Sequence, residues 1–179
     1  MAIIRQYKLK IILGLMLCMM SITICAKDEF RIIDYRLGLN SGTINHIVFD
    51  KQGFAWLSTP DGIIRYDGVL FYPYTHQSGN DHSLYNNNVI KTLPATCGMW
   101  IGAGNALQYY DYHTGKFYIE QYIDSNGKVS KINEDRIISL FRLGDKIFAT
   151  DNKGYMYGKQ EDEQFFSLLQ KGVYSLCPI

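Results

Sequence analysis

The sequence predicts an all-β protein made of repeated four-stranded units, and three observations support this fold class. The 179 residues include 14 Tyr, 9 Phe and 16 Gly but only 4 Pro, a composition that favours aromatic-packed strands joined by tight turns. An aromatic-led motif recurs after 44 residues, from Trp56 to Trp100, and after 48 more, at Phe148. After residue 26 no long segment has the periodicity of about 3.6 residues that helical repeats require. These intervals match one blade of a β-propeller.

The first 26 residues have the pattern of a signal peptide. They contain three basic residues and no acidic one, and an uncharged run of 14 residues extends from Ile11 to Ile24. Spanning a bilayer takes ~20 apolar residues, so a cleaved signal peptide is favoured over a membrane anchor. Cys25 raises the alternative of lipidation, which the bulky residues before it disfavour. We therefore expect cleavage near Ala26 and export to the periplasm, or to the periplasmic face of the inner membrane.

The remaining segment, residues 27–179, has a nearly balanced charge. Without the three basic residues of the expected signal peptide, this segment contains 15 Lys and Arg and 17 Asp and Glu. Its charge therefore does not favour contact with nucleic acid. Its cysteines are Cys97 and Cys177. Two cysteines are too few for a disulfide framework, and they are as readily free thiols as a pair.

The first repeat contains three short strands separated by turns within residues 44–67. Its markers are Trp56, Gly62, Tyr66 and Asp67. A fourth, outer strand is predicted at Phe71–Tyr74, where Pro73 is tolerated because an edge strand can spare one backbone donor. We expect the first blade to occupy about residues 30–76.

The second repeat has the same interval of ten residues between the tryptophan and the Tyr-Asp pair as the first. Its markers are Trp100, Tyr110 and Asp111. Gly98 takes the position of the turn glycine Gly53, and the outer strand is predicted at Phe117–Tyr122. We expect the second blade at about residues 84–124. The polar segments 75–88 and 124–135 are predicted to be connections between blades.

In the third repeat a phenylalanine replaces the tryptophan. Gly154 follows Phe148 by six residues, as Gly62 follows Trp56. We expect the third blade at about residues 133–170, and residues 173–179 start with the pattern of the first strand of a fourth. The predicted architecture is therefore a partial propeller of about three four-stranded antiparallel blades and one further strand.

The motifs of the first two repeats resemble a known family. The segment Asp50–Gly68, which contains Asp-Lys-Gln-Gly-Phe-Ala-Trp and later Arg-Tyr-Asp-Gly, looks like the opening of the two-component regulator propeller family. Ser83–Ile90, followed by Trp-Ile-Gly, resembles the start of that family's second repeat. The resemblance covers roughly residues 30–176. The departures are Ser58 after Trp-Leu, Ala106 at an expected turn glycine, and Phe148-Ala149-Thr150 in place of the Trp-led motif.

The resemblance implies a receptor segment and not a catalyst. The family forms the periplasmic sensor part of bacterial hybrid two-component histidine kinases, whose ligands are commonly oligosaccharides. The implied partners are an oligosaccharide ligand, the remaining blades and the kinase portion of a receptor that is a dimer when complete. Residues 27–179 would then be an incomplete N-terminal piece of the sensor, and this segment would contact no nucleic acid.

The residue patterns suggest structural roles for the markers. The aromatic markers recur at one position in each repeat, which is typical of core packing, and the aspartates before glycine are typical of turns. Glu161-Asp162-Glu163 is expected to be a solvated, unpaired hairpin tip. The four histidines, His46, His76, His82 and His113, are scattered. We therefore predict no catalytic, cofactor or metal residue, and the ligand-binding residues are not identifiable from the sequence.

Two alternative functions stay open at this point. An exported propeller enzyme, such as a polysaccharide lyase or a glycosidase, would need paired carboxylates or a Tyr/His acid-base set facing one pocket. A scaffold for protein contacts is the other alternative. The fold does not separate these classes, because propellers host all of them.

Overall fold

The computed structural model describes residues 10, 38–39 and 41–171, with side chains up to Leu169. The expected signal peptide, Cys177 and the expected start of a fourth blade lie outside the described residues. From residue 38 onward the described residues belong to one compact unit. Residues 41–171 form strands and turns without a helix. No helix among the described residues has the length and apolar character needed to cross a membrane.

The first sheet is a four-stranded antiparallel meander. Its strands are β1 (His46–Phe49), β2 (Ala55–Thr59), β3 (Gly62–Tyr66) and β4 (Phe71–Tyr74), paired in that order. Trp56 lies opposite Val48 on β1 and Arg65 on β3. Pro73 lies on the edge strand β4, as predicted, where its missing N–H breaks no ladder.

The second sheet repeats this meander. Its strands are β5 (Val89–Pro94), β6 (Gly98–Ala103), β7 (Ala106–Asp111) and β8 (Lys116–Ile119). The prediction that Gly98 is a turn glycine is wrong, because it is the buried first residue of β6. A Cβ at Gly98 would clash with the carbonyl oxygen of Tyr110 and with the ring of Tyr109. Close approach of a neighbouring strand therefore explains this glycine.

The third sheet has six strands. They are β9 (Gln121–Ile123), β10 (Val129–Lys131), β11 (Ile137–Leu143), β12 (Lys146–Asp151), β13 (Tyr155–Gln160) and β14 (Phe166–Lys171), in the order β10-β9-β14-β13-β12-β11. Strands β11 to β14 form the expected antiparallel unit, and β9 adds to β14 in parallel.

The β9–β10 hairpin differs from the sequence prediction. Residues 124–135, expected to be a connection, contain β10. Residues 121 and 122, expected in the outer strand of the second blade, belong to β9, which pairs with the third sheet. Tyr122 lies opposite Phe166, and its ring is 5.2 Å from the ring of Tyr157. Burial of this tyrosine against the third sheet accounts for the change of sheet near Glu120.

Three hairpin loops share one local design, an aspartate followed three residues later by a glycine. The three pairs are Asp50 with Gly53, Asp124 with Gly127 and Asp151 with Gly154. In each loop the aspartate Oδ1 accepts hydrogen bonds from the amides two and four residues later. The glycine amide donates to the aspartate carbonyl, and each glycine has a positive φ of 80° or 87°. These loops are thus determined by local side-chain-to-backbone bonds.

The sheets stack face to face with a hydrophobic cluster in each gap. The first gap contains Trp56, Ile63, Leu84, Val89, Met99, Ile101, Ala103, Tyr110 and Phe117. The second contains Ala95, Trp100, Leu107, Ile132, Ile137, Leu140, Ile147, Ala149, Tyr157 and Phe166. This stacking of four-stranded antiparallel units is the arrangement of neighbouring propeller blades. The described residues form an open row of three sheets and not a closed ring.

We expect Asp50→Ala to lower the free energy of unfolding by about 2–3 kcal/mol, more than the same change in a matching loop. The Asp50 carboxylate is 7% exposed and accepts a 2.8 Å hydrogen bond from the buried Trp56 indole N–H as well as its two loop amides. Asp124→Ala removes the same two loop bonds and no buried side-chain donor. Urea unfolding of both variants measures the difference. Equal losses would contradict a stabilising role for the carboxylate–indole bond.

Candidate functional site

The structure places the three aromatic markers at one register position of their sheets. Trp56, Trp100 and Phe148 each lie on the second strand of a four-stranded unit. Their direct first-strand partners are Val48, Leu93 and Phe141, and their third-strand partners are Arg65, Tyr109 and Gly158. Directly opposed residues share a face of their sheet. Since the three markers have the same register in three sheets that are stacked in a row, they point in the same direction along that row.

Two of the markers are buried by the next sheet. Trp56 is fully buried, with its ring 5.5 Å from Tyr110 and 5.9 Å from Tyr112 of the second-sheet region. Trp100 is 1% exposed and belongs to the cluster between the second and third sheets. Phe148 lies on the far face of the third sheet and is half-buried. These positions give Trp56 and Trp100 a packing role between neighbouring sheets.

The tyrosine markers lie one residue out of step with the tryptophans, on the opposite face of their own sheets. Tyr66 pairs with Ala55 and Tyr110 pairs with Met99. Tyr110 is buried, and this burial raises the pKa of its hydroxyl, which donates to the hydroxyl of Tyr74. Tyr66 is half-buried, and its hydroxyl donates to the carbonyl of Gly68 at 2.6 Å. Neither hydroxyl lines the cleft described below.

The aspartate and glycine markers lie in turns. Asp67 Oδ1 accepts from the amides of Val69 and Leu70, and these bonds lower the pKa of its carboxyl. The bond from the His113 amide does the same for Asp111. Gly62 ends a turn that Thr59 Oγ1 closes by accepting from the Asp61 amide, and Gly154 ends the β12–β13 loop.

In the third sheet a lysine, Lys159, takes the register position that Tyr66 and Tyr110 have in the first two sheets, and it forms a buried ion pair. Lys159 pairs with Ile147, in the register of Tyr110 with Met99. Its Nζ lies 3.0 Å from Glu120 Oε2 and 5.7 Å from the centre of the Trp100 ring. The side chains of Lys159 and Glu120 are only 6% and 11% exposed. Burial raises the pKa of the Glu120 carboxyl, and the positive charge of Lys159 opposes this shift.

The hairpin tip at Glu161 is paired, so the prediction of a solvated, unpaired tip is wrong. Arg142 Nη1 lies 3.0 Å from Glu161 Oε2, and the backbone amide of Thr96 donates to Glu161 Oε1. Glu163 accepts from the amide of Gln160 at 2.7 Å. The tip thus links the third sheet to the β5–β6 turn of the second.

A cleft of about 660 Å³ lies along the outer strand β8, beside the connection between the first two sheets. It is lined by His76, Asn80, Asp81, His82, Ser83, Leu84, Tyr85, Gln108, Phe117, Tyr118, Ile119 and Lys131. The buried amide of Gln108 supports this wall, because it accepts from the amide of Tyr85 and donates to the carbonyl of Ser83. His76 Nδ1 lies 2.9 Å from the Leu84 carbonyl oxygen.

The cleft combines exposed aromatic rings with groups that form hydrogen bonds. Tyr85 is 39% exposed and Tyr118 is 38% exposed. The His82 ring lies 5.1 Å from the Tyr118 ring, in an edge-on arrangement. Asp81 and Lys131 supply one charge of each sign. Such a surface suits a polar ligand with apolar patches.

The sequence alone does not reveal this site. Its polar wall falls in the segment that was predicted to be a connection, and its aromatic wall falls in a predicted outer strand. The available signal was the presence of two histidines and a tyrosine in the connection, at His76, His82 and Tyr85. Among the described residues, no group of three His, Cys, Asp or Glu side chains is arranged to hold a metal ion.

Comparison with known proteins identifies the fold. No protein-family model matches the sequence, and no curated protein matches it. The chain is similar in structure to the extracellular domain of BT3049 from B. thetaiotaomicron, described as a hybrid two-component system. The TM-score is 0.63 at 22% identity, over 76% of this chain and 19% of that one.

Two structures of the extracellular domain of BT4673 from the same organism are also similar. One describes BT4673 as a one-component system, with a TM-score of 0.59 at 15% identity over 82% of this chain and 21% of that one. The other describes it as a hybrid two-component system, with a TM-score of 0.55 at 16% identity over 72% and 19%. This chain thus shares its fold with part of such extracellular domains, and it spans about a fifth of their length.

Proposed function

We propose that this chain is part of the ligand-sensing region of a periplasmic two-component receptor. The observation that carries the proposal is the similarity in fold to the extracellular domains of BT3049 and BT4673. The basic start and the uncharged run in residues 1–26 support export. The remaining blades and the kinase would come from the rest of the receptor, which would act as a dimer.

We further propose that the cleft binds an oligosaccharide. The exposed rings of Tyr85 and Tyr118 offer flat apolar surfaces of the kind that stack on the C–H faces of sugars. The cleft is partly open to solvent, which suits an oligosaccharide that extends beyond the cleft better than a fully enclosed small molecule.

Binding without catalysis is favoured by the acidic groups of the cleft. Canonical glycosidases place two carboxyl groups on either side of the scissile bond. Among the described residues that line the cleft, only Asp81 carries a carboxylate. We therefore propose a sensor and not a glycosidase. A lyase would need a Tyr/His acid-base set instead, and the cleft contains residues of both types, at His82 and Tyr118.

Tyr118→Ala should weaken oligosaccharide binding about tenfold, or ~1.4 kcal/mol, because it removes one of the two exposed rings. A glycan array probed with the purified chain would identify a ligand, and isothermal titration calorimetry would measure the affinity. Tyr72→Ala is the matched control, since Tyr72 occupies on β4 the register of Tyr118 on β8 and lies outside the cleft. Absence of any binding oligosaccharide, or equal losses in both variants, would contradict the proposal.

A further inference from the structure

We propose that Arg65, on the third strand of the first sheet, forms an anion site that binds a planar carboxylate group. The proposal is independent of the sugar-binding function of the cleft. Three observations carry it: two aromatic rings hold the guanidinium group, this group has no acceptor among the described residues, and the carboxylates beside it accept from other donors.

The guanidinium group of Arg65 lies between the rings of Phe54 and Tyr72. Its Cζ atom is 4.8 Å from the centre of the Phe54 ring and 4.7 Å from the centre of the Tyr72 ring. Tyr72 is the direct partner of Arg65 on β4, whereas Phe54 directly precedes β2. Because β3 lies between β2 and β4, the rings approach from opposite sides. Cation–π contacts on both sides fix the position of the group.

This guanidinium group has no hydrogen bond and no ion pair among the described residues. Its Nε is buried without an acceptor, although the residue as a whole is partly exposed. Nη1 and Nη2 are neither fully buried nor hydrogen-bonded to a described residue. They are therefore the donors that a ligand can reach. A buried donor without an acceptor in a folded protein indicates a water, an ion or a ligand.

The two carboxylates beside this group accept from other donors. Asp50 accepts from the backbone amide of Phe54 at 3.0 Å. Asp67 accepts from the hydroxyl of Tyr72 at 3.0 Å and from two turn amides. Neither carboxylate forms an ion pair with Arg65. Their negative charges oppose the binding of a further anion, so we expect a modest affinity.

Packing of the repeat does not require an arginine at this position. The residues in the same register of the second and third sheets are Tyr109 and Gly158. Elsewhere in the fold, the buried cation Lys159 has an acidic partner, because Glu120 lies 3.0 Å away. Arg65 has no such partner among the described residues, and a bound anion would supply one.

A carboxylate is the anion that fits these donors best. Because rings cover both sides of the guanidinium plane, an acceptor can approach Nη1 and Nη2 only within that plane. Two parallel N–H donors match the two oxygens of a planar carboxylate. A tetrahedral phosphate would place further oxygens above and below the plane, towards the rings. The same carboxylate chemistry occurs in a sugar acid and in an acidic amino acid, so the test includes both.

Titration of the full chain with acetate, glucuronate, N-acetylglutamic acid α-amide and inorganic phosphate, at constant ionic strength, tests the proposal. Heteronuclear NMR spectra of the arginine Nε–H groups follow each arginine separately. We expect a saturable shift of the Arg65 signal with a millimolar dissociation constant for acetate. Arg136 is the control, because it is exposed and no ring stacks on it among the described residues, and its signal should change little. Tighter binding of glucuronate than of acetate would indicate a sugar acid, and tighter binding of the glutamic acid derivative would indicate an amino acid.

Two variants separate the geometry of the site from its charge. Arg65→Lys keeps the charge but loses the parallel donors, so it should raise the dissociation constant for acetate about tenfold. Arg136→Lys should leave it unchanged. Binding to both variants is followed by the backbone amide signal of Tyr72, and the same spectra show that the variants are folded. Tyr72→Leu removes one ring and should also weaken binding, as read from the Arg65 signal.

Four results would overturn the proposal. They are the absence of a saturable shift at Arg65, equal shifts at Arg65 and Arg136, unchanged affinity in Arg65→Lys, and tighter binding of phosphate than of acetate.

Discussion

Replacement of Trp56 by alanine should lower the free energy of unfolding by about 3–5 kcal/mol, the range for truncation of a large buried aromatic residue. Trp56 has no exposed surface, and its ring lies within 6 Å of the ring centres of Tyr74, Tyr110 and Tyr112. The change leaves a cavity between the first two sheets and removes the indole N–H that donates to Asp50. Urea unfolding followed by tyrosine fluorescence or circular dichroism measures the loss.

Phe148→Ala is the control for this experiment. Phe148 occupies the same register on the third sheet but is only half-buried, so its truncation removes fewer contacts and should cost clearly less. Both proteins should be compared at concentrations below any self-association. If the two variants lose equal stability, burial by the next sheet is not what makes the marker position important.

Lys159→Ala should lower the free energy of unfolding by about 3–5 kcal/mol, because it leaves the Glu120 carboxylate buried without its partner. The Nζ–Oε2 distance is 3.0 Å, and both side chains are almost fully buried between the second and third sheets. The double variant Lys159→Met with Glu120→Leu removes both charges and should recover most of the loss. Lys153→Ala is the surface control, since Lys153 is 62% exposed in its pair with Asp135 and its loss should change little.

The pH dependence gives a second readout of the same pair. Burial holds the pKa of the Glu120 carboxyl above its ordinary value of 4.5, and removal of Lys159 takes away the charge that opposes this shift. A raised pKa in the folded protein means that the folded state binds the proton more tightly than the unfolded state. The deficit of Lys159→Ala should therefore shrink as the pH falls from neutral towards 4.5 and grow as it rises. A deficit independent of pH would contradict the assignment.

Much of the fold follows from local features of the sequence. The hairpins with Asp50 and Asp151 are determined by an aspartate side chain that binds nearby amides and a glycine that accepts a positive φ. These interactions lie within four residues, so a sequence motif contains all of the chemistry. The recurrence of the aromatic markers at one register position likewise follows from a repeat of nearly constant length.

The assignment of the β9–β10 hairpin depended on distant residues. Residues 117–122 alternate like one continuous outer strand, yet Phe117 belongs to the second sheet and Tyr122 to the third. The decisive partner of Tyr122 is Phe166, which lies 44 positions later in the sequence. No local propensity encodes such a pairing.

The burial of Lys159 and the identity of the cleft were also decided by tertiary structure. A lysine in a predicted strand is ordinarily read as solvent-exposed, and only the approach of Glu120 and Trp100 from the neighbouring sheet makes a buried position tolerable. The cleft needs the connection to fold back on β8, supported by Gln108. The sequence by itself determined the strands, the turns and the repeated packing of the markers, because these depend on nearby residues and on a regular interval. The tertiary structure decided which sheet each strand joins, which charge is buried and where a ligand fits, because these depend on contacts between residues far apart in the chain.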